Sequence, residues 1–185
     1  LGTSFLADVF FVAFRIPNTF RRLFSEGTFN TAFVPSYSSY LIRGKIKSNN
    51  FANEVFNLLF LILLLLVLLV QIFMPAFVSL IAPGFVADNE KMRLAIDLTR
   101  ITFPFLLLIS LASFFSAILN SHNRFAEAAA APIILNVILV IVLLLSKLFN
   151  DRLVYILSYS VTFSGLLQLA FLHLFVKKYF KLKFN

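Results

Sequence analysis

The stretch FNLLFLILLLLVLLVQIFM, Phe56 to Met74, runs for nineteen positions without a charged residue. A helix needs roughly 17 to 25 mainly apolar residues to cross a hydrocarbon core about 30 Å thick. This run, extended to Val55–Ile81, therefore predicts a membrane-spanning helix. Composition agrees: of 185 residues, 61% are hydrophobic and only 13% charged, more apolar surface than a soluble domain of this length could bury. The fold class expected is an all-α integral membrane protein. A net charge of +8 is compatible with nucleic-acid binding, but that function needs a solvated basic face, and most cations here sit in short breaks between apolar runs. Membrane topology explains them, and no nucleic-acid partner is expected. With no cysteine, neither a disulfide framework nor a thiolate metal site can form.

Working outward, about five segments are predicted to span: Phe5–Ile42, Val55–Ile81, Leu94–Leu119, Ala128–Phe149 and Val154–Val176. Alternate connections must share a side of the membrane. One set holds Arg43, Lys45, Lys47, Arg124, Lys177, Lys178, Lys181 and Lys183, eight cations; the other holds Lys91, Arg93, Lys147 and Arg152, four, offset by Asp88, Glu90 and Asp151. Lys and Arg are retained on the cytoplasmic side, so segments 43–54, 120–127 and 177–185 are expected to be cytoplasmic. The chain opens on Leu1 with no basic region, short apolar core and small-residue cleavage site, so the start does not read as a signal peptide. It reads as a segment of a longer protein.

The first span is the unusual one. FRIPNTFRRLFSEGTFNTAFVP, Phe14 to Pro35, sets Arg15, Arg21 and Arg22 among Phe, Leu and Ile. One reading ends a span near Phe20 and lays 23–40 along the interface as an amphipathic helix, with Arg21 and Arg22 marking the cytoplasmic boundary. The other is a single kinked helix over 5–42, roughly 57 Å long at 1.5 Å per residue, with the arginine pair near its middle. At 100° per residue, Asp8, Arg15, Arg22 and Glu26 fall within about 40° of one another. A charge at mid-bilayer costs about 2.5 to 3.5 kcal/mol, so these arginines should face a wet cavity or pair with acids. Asp8 and Glu26 offset at most two of the three, leaving a stripe suited to an anionic substrate. Pro17 and Pro35 each remove a backbone bond, and kinks or breaks are expected there.

Taken with ADVFFVAFRIPNTFRRLFSEGTFNTAFVPSYSSY (7–40), the motifs APGF (82–85), ITFPFLLLISLASFFSAILNSHNRF (101–125), APIILNV (131–137) and GLLQL (165–169) resemble the MurJ (MviN) lipid II flippase family, in order and over nearly the whole chain. The resemblance implies membership of the multidrug/oligosaccharidyl-lipid/polysaccharide exporter superfamily. It implies two helical lobes around a central cavity, alternating access, and movement of lipid II, the undecaprenyl-pyrophosphate-linked peptidoglycan precursor, to the outer leaflet of the bacterial cytoplasmic (inner) membrane. The present chain would be most of an N-terminal lobe, lacking the family's first helix and its C-terminal lobe. Asp8, Asn18, Arg21 and Arg22 match cavity positions of the family, Arg15 stands where the family takes Lys or Arg, and Glu26 matches its Glu-Gly pattern. Ser25 stands where Ala is usual.

These readings assign Arg21, Arg22, Arg15, Asn18 and Asp8 to the pyrophosphate and cavity wall, and Glu26, Asn123 and Arg124 to gating or tuning. Guanidinium forks hold phosphate oxygens in pairs and keep their charge at any physiological pH. Asn120, Asn123 and Arg124 also suit a capped cytoplasmic turn. Arg93, Asp97 and Arg100 could form an ion-pair row, and Asn136 and Gln168 could bond between helices. His122 and His173 have no partners at metal spacing, so no metal and no cofactor is expected. Lipid II and membrane lipids are the partners expected, with a monomer as the full-length form. Two rivals stand: an exporter of drugs or other lipid-linked sugars with the same fold, and a membrane enzyme or scaffold of polyprenyl-phosphate metabolism. The enzyme reading wants acidic metal ligands on a cytoplasmic loop, and those loops carry no Asp cluster.

Overall fold

The computed structural model describes residues 5–26, 28–149 and 152–183; the side chains of residues 16 and 20–28 lie outside the description. Among the described residues eight α-helices follow in order: α1 (Phe5–Glu26), α2 (Thr28–Ile42), α3 (Lys45–Ile72), α4 (Met74–Ile81), α5 (Asn89–Thr102), α6 (Phe105–Ser121), α7 (Phe125–Leu144) and α8 (Leu153–Val176). No strand occurs among the described residues. Among the described residues four stretches are long and apolar enough to cross a membrane: α3, α5 with α6 as Asn89–Ser121, α7 and α8. The chain is a multi-pass helical membrane protein.

Local chemistry sets the boundaries. Gly44, with φ of 118°, separates α2 from α3 in a conformation that other residues rarely adopt. Segment 43–54, expected as a loop, is helical from Lys45 onward, because nothing from Lys45 to Asn53 breaks a helix. The Val55–Ile81 run is divided at Phe73, with Pro75 tolerated in the first turn of α4. Asp88 caps α5 by accepting from the backbone N–H of Glu90 and of Lys91, both at 3.1 Å. The expected span over 94–119 is interrupted at Pro104, which has no N–H for the Arg100 carbonyl.

α6 forms the centre. It packs against α1, α2, α3, α7 and α8, and twelve of its seventeen residues are buried. At Gly165 of α8, a Cβ would lie 2.7 Å from the Phe105 ring, so the missing side chain lets α8 and α6 approach closely. A cluster of rings closes one end: Phe114 lies 5.0 Å from Phe33, 5.5 Å from Phe56 and 5.8 Å from Phe180 between centroids.

At neither proline does the helix break. α1 and α2 continue as helix on both sides of Pro17 and Pro35. The Ala13 carbonyl, which Pro17 cannot reach with an N–H, accepts instead from the buried Thr102 hydroxyl at 2.8 Å. At the α5–α6 break the Arg100 carbonyl accepts from Gln71 Nε2 at 2.9 Å, and the Ile101 carbonyl from Thr162 Oγ1 at 2.5 Å. Each carbonyl freed by a proline near this point is served by a side chain from another helix, as a lipid environment demands.

Candidate functional site

α1 packs on α5 and α6, which gives it an inner and an outer face. Ala7, Val9, Phe10, Ala13 and Pro17 are buried, while Asp8, Phe11, Arg15 and Thr19 are exposed. At 100° per residue the exposed set covers one arc of about 80°, centred opposite the buried one. Asp8 and Arg15 thus share the face turned away from the bundle core. Asn18 is half-buried at its edge. The Thr19 hydroxyl donates back to the Arg15 carbonyl at 2.8 Å, a local bond that leaves the Arg15 guanidinium uninvolved. The side chains of Arg21, Arg22 and Glu26 lie outside the described residues; their backbone belongs to the same continuous helix.

The remaining expected residues are dispersed. Asn123 sits in the α6–α7 turn with φ of 59°, its N–H bonded to the Asn120 carbonyl at 3.0 Å, and the Arg124 N–H meets the Leu119 carbonyl at 2.9 Å. The Arg124 side chain forms an ion pair with Glu127 one turn into α7. Both residues therefore build and anchor this turn. No ion pair joins Arg93, Asp97 and Arg100. Asn136 is exposed rather than bonded between helices. His122 is not isolated: its Nε2 lies 3.3 Å from the Tyr37 hydroxyl and its ring stacks on Tyr179 at 4.3 Å. Burial and the neighbouring Lys45 hold its imidazole below the ordinary value of 6.5. Among the described residues no cluster of His, Asp and Glu could hold a metal ion.

One feature escapes sequence reading altogether. Between α2, α6, α7 and α8 lies a cavity of about 310 Å³ whose polar lining, among the described residues, is neutral: Asn30, Ser113, Ser116, Asn120 and Gln168. Gln168 is fully buried, and neither atom of its amide has a hydrogen-bond partner among the described residues. Small residues, Ala112, Ala128, Ala129 and Ala131, make up much of the rest.

Comparison with known proteins bears on what this arrangement serves. The chain matches the family described as "Lipid II flippase MurJ" over residues 1–184. It is 41% identical over 177 residues to "Probable lipid II flippase MurJ" of Rickettsia prowazekii (strain Madrid E), covering 96% of this chain and 35% of that relative. The protein of the same description from Rhizobium tropici is 43% identical over 182 residues, with 96% and 34% covered. Among solved structures, "Lipid II flippase MurJ, inward closed conformation" superposes with a TM-score of 0.84 at 29% identity, over 100% of this chain and 38% of that one. The chain spans about a third of the length of the curated relatives it matches. Shared sequence along residues 1–184, in a fold that superposes over the whole chain, makes this chain a member of the lipid II flippase MurJ family.

Proposed function

We propose that the full-length protein moves lipid II from the inner to the outer leaflet of the bacterial cytoplasmic membrane by alternating access, and that these 185 residues are most of one lobe. The observation that carries this reading is the two-faced α1, apolar and buried on one side and charged on the other, in a chain of this family. A pyrophosphate must pass the apolar centre of the bilayer, and its charge needs fixed counter-charges along the route. Helical register puts positions 8, 15, 22 and 26 on one side of α1. Arg21 and Arg22, with Arg15 and Asn18, bind pyrophosphate oxygens; Asp8 and Glu26 temper the positive field so that the substrate can leave again. Sugar and peptide remain in the wet cavity between lobes, and the polyprenyl tail stays in lipid.

The basic ends of the helices support an orientation with 43–54, 120–127 and 177–185 on the cytoplasmic side. The small-residue groove with its unsatisfied Gln168 amide suits a further helix from outside these residues, since small residues let helices approach and a buried amide gains by finding a partner. The test is growth of cells depleted of their own flippase and supplied with the full-length gene. Wild type should restore growth; Arg21→Ala should insert normally and fail, while Arg21→Lys asks whether fork geometry matters beyond charge. Full translocation by Arg21→Ala would overturn the assignment.

A further inference from the structure

After α8 the chain makes a turn over 177–179 and runs extended through 180–183, lying along α3. Three asparagines of α3 bind it by its backbone alone. Asn49 Oδ1 accepts from the Lys181 N–H at 2.8 Å, and Asn49 Nδ2 donates to the Lys181 carbonyl at 3.2 Å. Asn53 Oδ1 accepts from the Lys183 N–H at 2.6 Å, while its Nδ2 donates to the Lys181 carbonyl at 3.0 Å and the Asn49 carbonyl at 2.8 Å. Asn57 Nδ2 donates to the Lys183 carbonyl at 3.2 Å. The side chains of Lys181 and Lys183 remain exposed and take no part.

The pattern has a geometric cause. Four residues of helix rise about 6.0 Å. Two residues of extended chain rise about 6.6 Å. An asparagine at every fourth helical position therefore meets every second residue of a strand laid alongside, and each carboxamide offers both a donor and an acceptor, as a strand neighbour would. Two further contacts fix the segment from the other side: Phe180 is buried among Phe56, Phe114 and Phe115, and Tyr179 stacks on His122 of the α6–α7 turn.

We propose that Asn49, Asn53 and Asn57 are positioning residues: a backbone-reading ladder that holds 180–183 as a permanently closed strap across this helical unit. The strap and the turn before it join α3 to α6 and to the α6–α7 turn. The strap transmits the unit's motion without opening. Only this last step rests on the transport reading.

The test is residue-resolved hydrogen exchange on the full-length protein in lipid nanodiscs, paired with the growth assay. The Lys181 and Lys183 amides should be protected in wild type. Asn49→Leu should raise exchange about tenfold at Lys181, Asn53→Leu should do the same at Lys183, and Asn53→Asp, which keeps the acceptor, should leave Lys183 protected. General packing of the tail would not give this one-to-one pattern, and unprotected wild-type amides, or equal effects at both sites, would overturn the ladder. A cysteine pair at 50 and 183, whose side chains line the same surface pocket and take no part in the ladder, closed by a short bifunctional reagent should still support growth, whereas Asn49→Leu combined with Asn53→Leu should insert and lose at least tenfold in growth support. Loss of growth in the locked pair would show that the strap must open and would overturn the proposal. If wild type itself fails to restore growth, the transport reading falls, and the exchange pattern still decides the ladder.

Discussion

α3 and α6 look interchangeable as strings of Leu, Ile, Phe and Val, yet they do opposite work. Of the apolar window in Asn89–Ser121, which contains α6, 72% is buried; of that in α3, 22%. Leu58, Leu61, Ile62, Leu65, Leu68 and Leu69 of α3 are exposed, while Phe105, Leu106, Phe114, Ile118 and Leu119 of α6 are sealed in the core. The helix with the longest unbroken leucine run is the less buried of the two. In water that ordering would be perverse, but lipid tails are as apolar as leucine, so hydrophobicity places a helix in the membrane without saying which helix is inside. What marks α6 as central is its small and hydroxylated residues: Ser110, Ala112, Ser113 and Ala117 are buried, with the two hydroxyls bonded back to the Leu106 and Ile109 carbonyls.

The sharpest way to break this contrast is to cut the core. Phe114→Ala should destabilise the full-length protein by roughly 2 kcal/mol, the cavity part of a large-to-small change, because apolar transfer contributes little when the reference state is itself in lipid. Thermal denaturation in nanodiscs reads it. Next comes the polar seam between α1 and α5. Thr102→Val leaves the Ala13 carbonyl unserved and should cost about 1 kcal/mol. Pro17→Ala restores an N–H to that carbonyl, so in a double-mutant cycle the second substitution should recover most of the loss from the first. Additive effects would show that the bond from Thr102 does not stand in for the missing one.

Acid should have a smaller effect, outside the spans. Because His122 is held below its ordinary value, the undocked chain takes up a proton first as pH falls through 6.5. The stability its neutral ring supplies is present above that value and declines as pH drops toward the folded-state value. The melting temperature of wild type should fall between pH 7.5 and 5.5 by more than that of His122→Gln; equal slopes would remove His122 from the account. Smallest of all, Leu65→Ala, on the exposed face of α3, should stay within about 0.5 kcal/mol of wild type. A loss as large as that of Phe114→Ala would mean that α3 is covered in the full-length protein.

Much of this was legible from residue order. The nineteen-residue apolar run required a membrane helix, since a helix satisfies its own backbone in hydrocarbon and a barrel strand would be shorter and alternate apolar with polar residues. The spacing of Asp8 and Arg15 put them on one face, and the fold bears that out by burying the opposite face. The motif around Pro17 and the arginine pair carried the family resemblance over the whole chain.

Other features depend on distant residues meeting, and no local pattern announces them. His122 reads as isolated until Tyr37 and Tyr179, from the far side of two helices, close around it. Thr102 is one hydroxyl among several until α5 lies against α1 at Ala13. Asn49, Asn53 and Asn57 pass for a polar approach to an apolar helix until a segment from more than a hundred residues away is laid along them. Hydrophobicity and helical period are properties of a segment and its solvent, so the sequence by itself determined that this chain spans a membrane as helices and which way α1 divides. Which apolar face is inside, which carbonyl needs a donor and which amide finds a backbone are properties of pairs, and only the tertiary structure decided them.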